Sequence, residues 1–516
     1  MNQDQELNNS LKLIFKSFVF ILVGFIFAKF LGYLYRIIIA RYFGPEVYGL
    51  FSLATIILFW FVAIASLGFS EGILRHVAFY RGTKSTDKIR YIFKFSLIFL
   101  LITGLFSGLT LFSLSEFISI NIFHNADLII FLKLLSFLIP IYIVSNIFLY
   151  VILAYERVKF YSILTDVVYN TAKLVSLIVL VLIGIKTNSV IFSFMLGTIV
   201  IFIVSYFYSK YKITLIFGKV KLEKNEKNKI RNELFLYSWP LIFSPIFYNL
   251  FPYISSFFIG YFKNVSEVGL YNSAVPIAEL MLIAPFLFER LFFPLITKEF
   301  SKKNFEVITE LSKQVQKWIL LINIPFLLLI LVFPDVFISI LFGSEYLPAL
   351  NALRFLAIGF IFYTLSIVSY NLIAMAGKSR IILIDIILIS MFNIILNIIF
   401  IPKYGIAGAA IATMISHMIL LLFYFFQVNY YTSIFPIRRK MIWIIFSALI
   451  PAIILLYLKN FIVINLLTFI LQVFFLISLY ILLIFMTKSL DKNDLMILNS
   501  FKEKLLSYRT INPKSN

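Results

Sequence analysis

The sequence predicts an all-α polytopic membrane protein of about 14 transmembrane helices, arranged as two parallel six-helix halves plus two C-terminal helices. Three observations predict it. The chain is 62% hydrophobic and only 13% charged over 516 residues, a balance that a soluble chain of this length, divided into globular domains, does not show. Apolar runs recur along it, each long enough to cross a hydrocarbon core of about 30 Å as a helix. The basic residues gather in alternate loops, which fixes both the number and the direction of the crossings.

In order, the spans are 17–40, 47–70, 92–114, 128–154, 163–185, 189–208, 234–260, 268–296, 314–333, 347–374, 381–401, 405–427, 441–458 and 462–487. The segment before the first, "MNQDQELNNSLKLIFKSF", is polar and lacks a small-residue cleavage site, so it reads as a cytoplasmic tail and not as a signal peptide. Taken alternately, the loops such as "RHVAFYRGTKSTDKIRYIFK" and "SKYKITLIFGKVKLEKNEKNKIR", together with both termini, carry 34 of the 45 Lys and Arg. The opposite loops carry five: Arg41, Lys186, Lys263, Lys403 and Lys459. A miscounted span would scramble this alternation. Both termini are therefore expected in the cytoplasm, with the chain in the cytoplasmic membrane. The net charge of +21 is then an orientation signal. No loop is long enough to form a nucleic-acid-binding domain, and the basic loops are placed to touch anionic lipid head groups.

A weak internal repeat divides the chain. "YFGPEVYGLFSLA" at 42–54 returns as "YFKNVSEVGLYNSA" at 261–274, and "SEGILRHVAF" at 70–79 faces "FERLFFPLIT" at 288–297. Spans 1 and 7 start on the same side, so the halves are parallel repeats about an axis along the membrane normal. The predicted organisation is a first half at 1–208, a basic linker at 209–233, a second half at 234–428, spans 13 and 14 at 429–487, and a cytoplasmic tail at 488–516.

Apart from Lys94 and Lys317, which lie at span starts and are counted with the adjoining basic loops, six basic residues fall inside spans: Lys29, Arg36, Lys133, Lys173, Arg290 and Arg354. Five acids lie inside spans or at their edge: Glu71, Asp166, Glu279, Glu289 and Asp385. A cation near the bilayer centre costs at least a few kcal/mol, so a deep one calls for a partner or a water-filled cavity. Lys133, Asp166 and Arg354 sit close to span ends, where snorkelling accounts for them. Lys29 and Arg36, seven apart, share one helix face. With Lys173 and Arg290 they are candidates for a cationic cavity suited to an anionic substrate. Glu71, Glu289 and Asp385 are candidates for ion coupling, or for structural pairs with these cations. Asn393 and Asn397, four apart, read as interhelical hydrogen-bonding groups.

Pro240, Pro245, Pro252, Pro276, Pro285 and Pro294 crowd into spans 7 and 8 or their edges. Each removes an intrahelical hydrogen bond, so bent segments are expected, with Pro245, Pro252 and Pro285 as gating candidates. Other chemistries are excluded or unsupported. There is no cysteine, and His76, His124 and His417 are too scattered for a metal site. "AMAGKSR" at 374–380 has Leu372 where a phosphate-binding loop needs its first glycine. No cofactor site and no catalytic set is visible, so the chain is not expected to be an enzyme.

At "AKFLGYLYRIIIARYFGPEVYGLFSLA", followed by "LGFSEGILR", the sequence resembles the polysaccharide exporters of the multidrug/oligosaccharidyl-lipid/polysaccharide superfamily, which include the flippases for O-antigen and related lipid-linked oligosaccharides. The shared pattern is carried by Leu31, Gly32, Arg36, Ala40, Arg41, Gly44, Pro45, Glu46, Tyr48 and Gly49. "IPKYGIAGAAIATMISH" at 401–417 is similar to the same family's twelfth helix. The resemblance implies an alternating-access flippase for a polyprenyl-linked oligosaccharide, with a lipid-linked anionic glycan, membrane lipids and a coupling ion, H+ or Na+, as partners. The related lipid II flippases use basic residues on helices 1, 2 and 8. This chain offers Lys29, Arg36 and Arg290 but nothing basic in the middle of span 2, which speaks against lipid II as cargo. A cation-coupled multidrug antiporter of the same superfamily is the alternative, and a membrane glycan polymerase is a third reading. An antiporter for cations calls for an acid-dominated cavity, and a polymerase for an exterior catalytic loop.

Overall fold

In hydrocarbon every backbone N–H and C=O must be satisfied within the segment or its barrel, so the long Leu, Ile, Phe and Val runs of this chain form helices. The computed structural model describes residues 3–242, 253–459, 461 and 466–489, with the side chains of 3–26, 240, 242, 290, 291 and 466 excepted. Among the described residues every regular element is helical. Ten helices are long and apolar enough to cross a membrane, or 11 if Asp127–Ser136 and Leu138–Ala154, bent by 40°, are one span.

Two of the ten each hold two predicted spans. Phe27–Ser66 is interrupted at Gly44 (φ 79°, ψ 179°), and there the chain folds back. The rings of Tyr35 and Phe51 lie 5.9 Å apart, whereas 16 residues of continuous helix would separate them by about 24 Å. Ser379–Thr432 is interrupted at Gly405 (φ 57°, ψ −137°). A Cβ on Gly408 would come within 2.3 Å of the Phe400 carbonyl oxygen, so this segment too is a helical hairpin. Glycine takes the positive φ of both turns without steric cost. Asn393 donates to Ser416 Oγ at 3.0 Å, which ties the two arms of the second hairpin together, and Asn397 donates to the Asn393 carbonyl at 2.8 Å within the first arm. The seventh predicted span crosses 243–252, outside the described residues.

Other spans are irregular in ways that matter below. The second breaks at Leu67 (φ 48°) and Gly68 (φ 68°), after which Phe69–Gly82 starts as a separate helix. The fifth opens with Val158–Ser162, widens to a π-helical turn over Ile163–Val168, and resumes as Tyr169–Leu182. The eighth is split into Val265–Glu279 and Ile283–Ser301 by a 3-10 turn at Leu280–Leu282. Pro285 has no N–H to offer the carbonyl of Met281, which is the reason for a break at that place.

The basic linker is folded. Lys224–Ser238 is a helix that buries Ile230, Leu234 and Ser238 against Phe69–Gly82. Arg90 holds the stretch before it, donating to the Leu215 carbonyl at 2.8 Å while pairing with Asp87 at 2.9 Å.

By packing, the chain divides into two compact units: Met1–Ile277, Ile338–Leu353 and Leu383–Ser416 form the first, and Ala278–Phe337, Arg354–Ile382 and His417–Asn516 the second. This is a different cut from the repeat-based halves, since residues 234–277, 338–353 and 383–416 of the predicted second half pack with the first unit. Within the first unit the repeat copies meet. A Cβ on Gly49 would lie 1.9 Å from the Val265 carbonyl oxygen, and one on Gly269 would lie 1.9 Å from that of Pro45. Positions 45 and 49 are the repeat counterparts of 265 and 269, so each contact is the image of the other. Tyr48 adds a hydrogen bond from its hydroxyl to the Asn272 carbonyl at 3.1 Å. Arg41, at the first hairpin's turn, donates to the carbonyls of Leu341 and Ser339, both at 3.0 Å, and of Ile340.

The second unit is built around Phe305–Val332. Its Lys317, which the charge pattern assigns to a basic loop, is fully buried. Gln316 donates to the Leu365 carbonyl at 2.9 Å, and the Tyr480 hydroxyl to that of Leu321 at 2.9 Å. Lys459 pairs with Asp335 at 2.8 Å and donates to the Val332 carbonyl at 2.9 Å.

Candidate functional site

Lys173 stands where three helices of the first unit converge. Tyr169, one turn before it on Tyr169–Leu182, places its ring 4.1 Å from the ammonium. Tyr35, from the first hairpin, lies at 5.3 Å and Phe194, from Asn188–Lys212, at 5.9 Å. Aromatic faces are negative at their centres and attract a cation, by about 0.5–2 kcal/mol each depending on hydration. The lysine stem lies on the bare backbone of Gly197, where a Cβ would fall 2.3 Å from Lys173 Cγ. The cage is itself fixed: the Tyr35 hydroxyl donates to the Val190 carbonyl at 3.2 Å and meets Ser193 Oγ at 2.9 Å.

No carboxylate pairs with Lys173 among the described residues. Its charged neighbour is Arg36, within electrostatic reach and of the same sign. Both side chains are half-buried. Two cations facing each other inside a membrane protein repel, and an anion between them removes the repulsion.

The other predicted residues are placed as follows. Lys29 is exposed on the first helix. Glu71 is half-buried in the first turn of Phe69–Gly82, where the helix dipole favours a carboxylate. One of its oxygens is buried with no hydrogen-bond partner, and Glu71 forms no ion pair among the described residues. Pairing of Lys29 or Arg36 with Glu71 is thus not the arrangement found. Asp385 is buried, at 4% exposure, in the first unit. Glu289 is half-buried in Ile283–Ser301 in the second unit, and its electrostatic reach includes Tyr363. Arg290 is on the same helix, but its side chain is outside the described residues. So are Pro245 and Pro252 entirely. Pro285 is buried beside the break of the eighth span.

Sequence reasoning missed the aromatic cage, because residues 35, 169 and 194 share no periodicity. It also set aside Asp166 as a span-end acid. Asp166 sits in the π-helical turn, accepts from Ser162 Oγ at 2.5 Å, and lies within electrostatic reach of Tyr161. An open groove of about 900 Å³ in the second unit, lined in part by Glu306, Glu310, Lys378 and Tyr431, holds none of the predicted site residues. No group of three His, Cys, Asp or Glu able to hold a metal occurs among the described residues.

An all-helical, multi-pass membrane fold with glycine-turned hairpins fits a transport protein of the superfamily that the first-helix motif resembles. The family profile for polysaccharide biosynthesis proteins matches residues 14–300, and the MatE profile matches 240–399. The chain belongs to the polysaccharide biosynthesis protein family.

Its relatives include an uncharacterized membrane protein of Methanocaldococcus jannaschii, 28% identical over 50% of this chain and 53% of that protein. A putative O-antigen transporter of Shigella flexneri is 23% identical over 72% and 88%. A probable low-salt glycan biosynthesis flippase of Haloferax volcanii is 26% identical over 55% and 58%. The match thus spans about half the length of the first and third of these relatives. Among solved structures, the inward closed conformation of the lipid II flippase MurJ superposes with a TM-score of 0.71, at 20% identity, over 90% of this chain and 98% of that one.

Proposed function

We propose that this chain is a flippase that moves a polyprenyl-linked oligosaccharide from the cytoplasmic to the outer leaflet of the cytoplasmic membrane by alternating access, with both termini in the cytoplasm. The observation that carries the reading is Lys173. An ammonium held by three aromatic rings beside Arg36, with no carboxylate paired to it, is a site for an anion such as the phosphate of a lipid carrier. Family membership and the relatives' descriptions as transporter and flippase support the same reading. In this scheme Lys29 adds a second cation on the first helix, Arg290 is a separate candidate on Ile283–Ser301, and Glu71, Glu289 and Asp385 supply groups for H+ or Na+ coupling. The bend beside Pro285 takes up part of the gating motion, with Pro245 and Pro252 as its counterparts in the seventh span.

The test is translocation of a labelled lipid-linked glycan in proteoliposomes containing wild type or Lys173→Gln plus Arg36→Gln. Loss of at least tenfold in rate, with the melting curve unchanged, is expected. Wild-type transport by the double variant would sink the role of these cations. The MatE match over 240–399 keeps the antiporter reading in view: drug efflux from liposomes free of lipid-linked glycan would favour it.

A further inference from the structure

Beyond the cation cage, the first unit holds three tyrosines with no work assigned to them, near the coupling candidate Glu71. Tyr142 and Tyr150 lie on Leu138–Ala154, and Tyr161 on Val158–Ser162. All three are half-buried, and no hydroxyl among them has a hydrogen-bond partner among the described residues. None of these hydroxyls is sealed from solvent, so they are open to a ligand. The rings of Tyr150 and Tyr161 are 6.5 Å apart. Tyr142 is within electrostatic reach of Tyr161, and Tyr169 of Tyr142, which makes a row continuous with the Lys173 cage. At the far end both Tyr150 and Tyr161 are within reach of Glu71, whose buried oxygen has no partner.

The backbone is irregular on both sides of this row. Leu67, a non-glycine residue at φ 48°, breaks the second span four residues before Glu71. The π-helical turn Ile163–Val168 follows Tyr161 within two residues. Strained left-handed residues and π turns persist where surrounding structure holds them, and they concentrate at functional sites. Here the two irregularities flank the same row.

We propose that Tyr142, Tyr150, Tyr161 and Glu71 form a sugar-binding row, so that a lipid-linked glycan places its phosphate at Lys173 and its sugar rings along the tyrosines. This rests on the flippase reading and assigns the cargo's second subsite. The chemistry matches. The apolar C–H face of a pyranose stacks on an aromatic ring, its hydroxyls serve unpartnered phenol groups, and a carboxylate accepts from two neighbouring sugar hydroxyls at once. An apolar drug would leave the phenol and carboxylate groups unsatisfied, so the row discriminates between cargo classes.

The experiment compares two probes, a synthetic polyprenyl diphosphate carrying a five-sugar glycan and the same lipid without sugar. Affinities of both are measured for wild-type protein in nanodiscs, for Tyr150→Leu plus Tyr161→Leu, for Glu71→Gln and for Lys173→Gln. In wild type the glycan-bearing lipid is expected to bind at least tenfold more tightly than the bare one. In the tyrosine pair that preference falls about tenfold, with a smaller fall in Tyr150→Phe plus Tyr161→Phe, which keeps the stacking faces. Glu71→Gln also lowers it. Lys173→Gln weakens both lipids together and leaves their ratio unchanged. If wild type prefers the glycan-bearing lipid and the tyrosine pair keeps that preference, the sugar row is wrong while the flippase reading stands. A uniform loss for both probes in the tyrosine pair overturns the row as well, since it reports general damage. If wild type binds neither lipid better than phosphatidylglycerol, the flippase reading fails and the row with it.

Discussion

Substituting Gly49 by alanine tests the close crossing of the two repeat copies. The new Cβ would fall 1.9 Å from the Val265 carbonyl oxygen and 3.0 Å from the Gly269 nitrogen, whereas real Cβ atoms essentially never approach closer than 3.0 Å. One backbone must therefore retreat by about 1 Å. The obstacle is main chain on both sides, so no rotamer change relieves it, and the cost belongs near the top of the overpacking range, about 3 kcal/mol. Converted to a population, that multiplies the fraction with this crossing open by roughly 100. The cysteine-free chain makes the opening readable. Leu53 is fully buried and lies 3.0 Å from the Cβ position of Gly260, so Leu53→Cys reacts with a maleimide only when the packing separates. Gly49→Ala in that background should be labelled about 100-fold faster than its parent. Gly82→Ala, whose Cβ meets nothing within 4 Å, is the control and should not differ. Labelling of Gly49→Ala within twofold of the control would refute the argument, because the crossing would then tolerate a methyl group.

Three other outcomes are expected. Gly197→Ala puts its Cβ 2.3 Å from Lys173 Cγ, so the lysine must leave its aromatic cage; glycan transport should fall toward that of Lys173→Gln with little change in melting temperature. His76 is buried, donates from Nδ1 to the Gly72 carbonyl at 2.9 Å, and meets Tyr237 of the linker helix edge-on at 5.6 Å. Burial holds its pKa below the ordinary histidine value, with Arg75 acting the same way and the Gly72 bond and Glu233 opposing. Above about pH 6.5 both folded and unfolded forms keep it neutral. As pH falls below that, the unfolded form binds the proton more readily and stability is lost. The melting temperature should drop between pH 7.5 and 5, and less so in His76→Gln. Finally, Lys459→Ala removes the ammonium that bridges Asp335 and the Val332 carbonyl. Both partners are partly exposed, so a loss of only about 0.5–1 kcal/mol is expected by thermal melting in detergent.

The all-helical, multi-span character and the two hairpin turns were legible because both depend on local signals. Apolar runs force helix in hydrocarbon, and the Gly-Pro at 44–45 and the Pro-Lys-Tyr-Gly at 402–405 mark turns by residue type alone. The repeat at 42–54 and 261–274 was legible as similarity, but not as contact. Lys317 misled the charge pattern: it lies near the start of the ninth span, and only the packing of its neighbours shows it to be buried. The site was less legible than the fold. Lys173 could be singled out by its charge, but its cage draws on three segments remote in sequence. Tyr142, Tyr150 and Tyr161 were invisible among 29 tyrosines and 61 phenylalanines, since what distinguishes them is their placement near one another and near Glu71. The π-helical turn at 163–168 has no composition of its own to announce it.

The mutual contact of Gly49 with Val265 and of Gly269 with Pro45 bears on how this chain has diverged from its own duplicate. Most positions of a duplicated half are free to change singly, and the two copies lose their likeness. At this crossing each copy is the other's surroundings. A side chain gained by either glycine is obstructed by the helix backbone of the opposite copy, so neither copy can drift without the other. The likeness between the halves is therefore kept longest where they touch, and a faint internal repeat in a sequence of this kind is itself a pointer to a contact.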